Sequence, residues 1–135
     1  MKRRSFVPLF AVLVLGAACA DQGPSLGVCV SSAVTVTPGA NFGWTPAPDF
    51  SWDASCRIAS LEVAVRGSGA IVWNAFSPNQ NLIDSPVRYA VTPAGAALTA
   101  NRLAGLVPGT TYQVTIRRID AAGTLHLLGT ATFTP

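Results

Sequence analysis

From Val28 to the C-terminus the apolar positions recur with the period of a β-strand, and no stretch has the three-to-four spacing of an amphipathic helix. Val28, Val30, Val34 and Val36 share one parity, with Thr35 and Thr37 on the other, and Pro38-Gly39 ends the run. Phe50-Ser51-Trp52-Asp53 alternates in the same way. Leu61 to Arg66 alternates too, followed by the turn Gly67-Ser68-Gly69 and a second strand from Ile71 to Phe76. Asparagine, proline and serine between Ser77 and Pro86 read as a loop. Val87, Tyr89 and Val91 predict a short strand before Pro93-Ala94-Gly95, and Leu98–Leu106, Thr111–Asp120 and Thr124–Thr134 predict the rest. Many short strands separated by turn residues predict an all-β sandwich. The alanine-rich stretch 94–104 carries too much glycine and threonine, and runs too soon into Pro108-Gly109, to be read as a helix.

The N-terminus is organised differently. Lys2, Arg3 and Arg4 precede an apolar run from Phe6 to Leu15 and the small residues Gly16-Ala17-Ala18, the layout of an export signal. The run is well short of the ~20 residues that span a bilayer. Leu15-Gly16-Ala17-Ala18-Cys19 resembles a bacterial lipobox, in which cleavage precedes a cysteine that becomes lipidated; Gly16 stands where that family usually has a branched apolar residue. The rival reading is Ala18-Cys19-Ala20 as an A-x-A site, with cleavage before Asp21 and release of the protein. The expected organisation is a signal peptide over 1–18, a lipid-anchored tether over 19–27 and one domain over 28–135. The eight tether residues after Cys19 reach at most ~28 Å, so an anchored domain sits close to its membrane, at the outer membrane or cell surface.

Charge narrows the partners. Of nine Lys and Arg residues three lie in the signal, and the six remaining arginines balance six acids. A neutral chain without lysine lacks the cation surplus that nucleic acid binding requires, and the lipid on Cys19 is the expected membrane contact.

Leu106-Val107-Pro108-Gly109-Thr110-Thr111-Tyr112-Gln113-Val114-Thr115-Ile116 resembles the L-x-P-G-T-x-Y-x-V-x-V segment of fibronectin type III domains. The resemblance extends over roughly Val28 to Pro135 and implies an immunoglobulin-like sandwich. Tyr112 would begin strand F as a tyrosine corner, Leu106 would close strand E into the core, and Phe50-Ser51-Trp52 would carry the strand-B tryptophan. Three features depart from the family: a long segment from Phe76 to Gly95, Arg118 where a small apolar residue is common, and cysteines. In this layout Cys29 opens strand A and Cys56 follows strand B, so an antiparallel A–B pair brings them together. A bond would close a loop of about 28 residues and add ~3 kcal/mol on the chain-entropy model; two buried thiols are the alternative.

Candidate chemistry is sparse. The single histidine, His126, has the parity opposite to Leu125, Leu127 and Phe133 and is expected to face solvent from strand G. No residue group has the spacing of a metal site, a catalytic triad or a phosphate loop. The expectation is a protein without catalytic residues, metal or cofactor. Such domains often act as spacers within larger extracellular enzymes; with no catalytic module after Pro135, the expected role is a binding module for another envelope protein. The alternative is a glycan-binding module that stacks sugars on Trp44, Trp73 or Tyr89, of which Trp73 and Tyr89 could equally cover the core.

Overall fold

A computed structural model describes residues 29–39, 47–101 and 105–135. Among them the chain is all β. Its strands are β1 (Thr35–Thr37), β2 (Asp49–Ser51), β3 (Ser60–Val65), β4 (Ile71–Phe76), β5 (Val87–Arg88), β6 (Ala97–Asn101), β7 (Tyr112–Ile119) and β8 (Leu125–Phe133). They form two antiparallel sheets, ordered β1-β2-β5 and β6-β4-β3-β7-β8.

The alternation that predicted the strands also closes the core. β2 contributes Phe50 and β5 Val87, against Leu61 and Val63 of β3, Trp73 and Ala75 of β4, and Tyr112, Val114 and Ile116 of β7. Phe50 and Trp73 stack between the sheets at 6.4 Å, and Tyr89 meets Trp73 at 5.5 Å. Cys29 and Cys56 form a disulfide, both buried within the same cluster.

Three stretches differ from their sequence reading. The run from Val28 narrows to a strand of three residues, because the chain first lies along β8, where Ser32 N–H donates to Leu128 O at 2.9 Å, and only then pairs with β2. Val30 is consequently exposed. The strand predicted over Leu98 to Leu106 is replaced by Ala97–Asn101, and it does not take the place of a strand E next to β2. Val87–Arg88 takes that place, while Ala97–Asn101 crosses to the far edge of the larger sheet against β4. Leu106 is buried nonetheless, from the connection before β7.

The third difference is in β8. Ile116 pairs with Gly129 but Arg117 pairs with Leu127, so Leu128 is an extra residue in the ladder. This bulge buries Leu128 and leaves Leu125 and Leu127 exposed, reversing the parity read from the sequence. His126 is exposed as expected, although as the partner of Arg118 it shares the face of β7 that continues from the core.

Candidate functional site

The disulfide end of the sandwich carries a cleft of about 660 Å³, formed by three segments distant in sequence. Ala54, Ser55 and Arg57 come from the turn after β2, Asn79 to Leu82 and Asp84 from the loop after β4, and Arg118 from the end of β7. The turn is built by Asp53, whose Oδ1 accepts the Ser55 amide at 2.9 Å and its hydroxyl at 2.7 Å. These bonds hold the Asp53 carboxyl below its ordinary range. Cys56 then places its sulfur on Cys29 and its carbonyl on the Trp52 indole N–H, 2.6 Å away.

The loop is tied down at two points. Ile83 exchanges both backbone hydrogen bonds with Ile58 at 3.0 Å. Two residues earlier, Asn81 imitates a strand neighbour: its amide donates to Ile119 O and its Oδ1 accepts Ile119 N–H, both at 2.9 Å. Asn79 at the tip has φ 60°, a left-handed conformation that asparagine tolerates better than most residues.

Among the described residues three charged side chains line the cleft. Arg57 and Asp84 pair at 2.8 Å and are both well exposed, so they largely neutralise one another. Arg118 is different. It occupies the inward parity of β7 after Tyr112, Val114 and Ile116, and is 7% exposed. Its Nη1 donates to Arg57 O at 2.9 Å, its buried Nε has no partner, and it forms no ion pair among the described residues. Burial pushes its guanidinium pKa down from the usual arginine value. Arg118 also lines a neighbouring depression of about 270 Å³ with Cys29, Val30, His126, Leu127 and Leu128.

The residues singled out by sequence fall in several places. Tyr112 is buried, and its hydroxyl accepts the Val107 amide at 2.9 Å, the bond expected of a tyrosine corner. Trp73 and Tyr89, at 0% and 4% exposure, are core residues, because Trp73 on β4 and Tyr89 just after β5 face one another from opposite sheets. Neither presents a ring face to a sugar, which corrects their reading as stacking platforms. Burial pushes the Tyr89 hydroxyl up to about 12. Cys19, Trp44, the signal and the tether lie outside the described residues. Every described aromatic side chain is buried or half-buried.

His126 has an acid within reach, which its parity did not suggest: Asp120 Oδ2 lies 2.7 Å from Nε2. The same carboxylate accepts the Ala122 and Thr124 amides on Oδ1, so the pair closes the β7–β8 turn. Among the described residues His126 makes no hydrogen bond to a hydroxyl, no group of three potential metal ligands comes together, and no helix is long and apolar enough to cross a membrane. Arg118 and Asn81 are the site residues that periodicity missed. The signal for Arg118 was a charged residue on an apolar parity; nothing local marked Asn81. Comparison with protein-family models, with curated proteins and with solved structures finds no match.

Proposed function

We propose that the chain is an exported bacterial envelope lipoprotein, anchored through Cys19, whose sandwich is a non-catalytic module that binds another envelope protein. The disulfide end carries this reading. A buried Cys29–Cys56 bond supports folding in an oxidising compartment, where such bonds form and persist, and the same end holds the cleft. We also read the sandwich as fibronectin type III-like. The Tyr112–Val107 bond and the tight turn from Asp120 to Gly123 support this, while β6 on the edge beside β4 is this chain's own variation.

A protein partner is favoured over a glycan by the surface. The large apolar side chains exposed among the described residues are aliphatic: Val30, Ile71, Leu82, Val91, Val107, Leu125 and Leu127. A sugar platform would have to come from Trp44.

Labelled palmitate should enter the wild type and not Cys19→Ser; incorporation that survives the substitution overturns the anchor in favour of cleavage before Asp21. Crosslinking in intact cells should trap a discrete envelope protein. Retention on envelope polysaccharide that is lost in Trp44→Ala, with no protein trapped, would replace this reading by the glycan one.

A further inference from the structure

We propose that the cleft beside Arg118 is a carboxylate-binding site that receives an acidic side chain or a free C-terminus of the partner protein. The inference rests on the reading of this domain as a protein-binding module and names the chemistry of its contact.

A cation taken out of water is unfavourable unless an anion or enough acceptors replace its hydration. Arg118 has been taken out of water and, among the described residues, has one hydrogen bond to a protein atom, the carbonyl of Arg57. The neighbouring acids are already committed: Asp84 to Arg57 at 2.8 Å, and Asp120 to His126 and two amides. Among the described residues the cleft therefore holds two guanidinium groups against one carboxylate, and the surplus cation is the buried one.

The shape of the group selects its ligand. A guanidinium presents N–H groups in a planar fork that matches the two oxygens of a carboxylate. Asn79 and Gln80 carry the further side-chain amides on the wall, and neither makes a side-chain hydrogen bond among the described residues, so both can donate to the same ligand. Asn81 cannot, because both ends of its amide are spent on Ile119. Leu82, 40% exposed, supplies an apolar surface for the chain that delivers the carboxylate. A cleft of about 660 Å³ accommodates several side chains, which suits a peptide end or loop.

The test is a titration of the processed, disulfide-bonded protein, labelled with nitrogen-15 and purified from the envelope, followed at the arginine Nε–Hε resonances. Four peptides are used: acetyl-Gly-Gly-Gln with a free C-terminus, acetyl-Gly-Gly-Glu-amide, acetyl-Gly-Gly-Glu with both carboxylates, and acetyl-Gly-Gly-Gln-amide with neither. The Arg118 resonance should move saturably with a carboxylate-bearing peptide and stay in place with the diamide. A response to the first and third peptides but not the second assigns a C-terminus, and a response to the second and third but not the first a side chain. Arg118→Lys, which keeps the charge and loses the fork, should bind at least about fivefold more weakly.

An Arg118 resonance indifferent to all four peptides, or moved equally by the diamide, overturns the proposal. So does a larger response to inorganic phosphate, or a carboxylate response confined to other arginines. The wild-type titration decides the matter if Arg118→Lys folds poorly. A crosslinked partner captured in cells, with no peptide response, removes this inference and leaves the binding module standing; a peptide response with no partner captured does the reverse.

Discussion

The Tyr112 hydroxyl accepts the Val107 amide at 2.9 Å, while its ring stacks on Phe133 at 5.6 Å. One side chain thus fixes the connection into β7 and packs against the last residue of β8. Tyr112→Phe keeps the ring and leaves that amide without its partner. The bond is only part-buried, so the expected loss is about 0.5–1.5 kcal/mol, the net worth of a typical intramolecular hydrogen bond. Urea denaturation should show a lower midpoint with an unchanged slope. A variant as stable as wild type would show that water replaces the hydroxyl.

Removing the disulfide acts mainly on the unfolded chain. A Cys29→Ser, Cys56→Ser double variant should lose about 3 kcal/mol on the chain-entropy model, and reduction of the wild type should do the same. The measurement is the denaturation midpoint with and without reductant. The double variant should be insensitive to reductant, and a wild type equally insensitive would contradict the role assigned to the bond.

Gly129 faces the first segment of the chain at close range. A Cβ placed there would collide with the carbonyl oxygen of Ser32, a residue held in place by its amide's hydrogen bond to Leu128. Gly129→Ala should therefore cost about 1–3 kcal/mol through overpacking. Hydrogen exchange should locate the damage at the Ser32 amide, with the centre of β3 still protected. Full protection at Ser32 would show that the two segments shift together to accept the methyl group.

Acid should weaken the fold partly through Asp120. The hydrogen bond with His126, followed by the amides of Thr124 and Ala122, holds its carboxyl below the ordinary aspartate range. The folded state therefore binds this proton less readily than the unfolded state. The contribution is complete above the unfolded value of about 3.9 and is lost as pH falls through the lower folded value. Between pH 5 and pH 2, Asp120→Asn should lose less stability than wild type, measured by urea midpoints at each pH. Parallel curves for the two proteins would assign the acid response to other carboxylates.

Strands of regular alternation could be read directly. β7 places Tyr112, Val114 and Ile116 on its core face as its sequence requires, and Cys29 meets Cys56 as the fibronectin type III-like layout implied, although β1 starts only at Thr35. What alternation leaves open is the partner of a short strand. Val87–Arg88 and Ala97–Asn101 belong to different sheets, and only the space beside β2 and β4 decides which goes where. Alternation also assumes an unbroken ladder, so the extra residue at Leu128 inverted the reading of Leu125 and Leu127. The cleft was the least legible part. Its walls come from segments as far apart as Ala54 and Arg118, and one of its ties, Asn81 to Ile119, spans 38 residues.

That tie sets where the loop tolerates a change of length. Asn81 is pinned to Ile119 and Ile83 to Ile58, so residues 81 to 83 span a fixed distance and an insertion there would pull one attachment loose. Pro78 to Gln80, exposed and holding the left-handed turn at Asn79, face no such requirement. A change of length on that side alone would reshape the mouth of the cleft while leaving Arg118 and the sandwich beneath it unchanged.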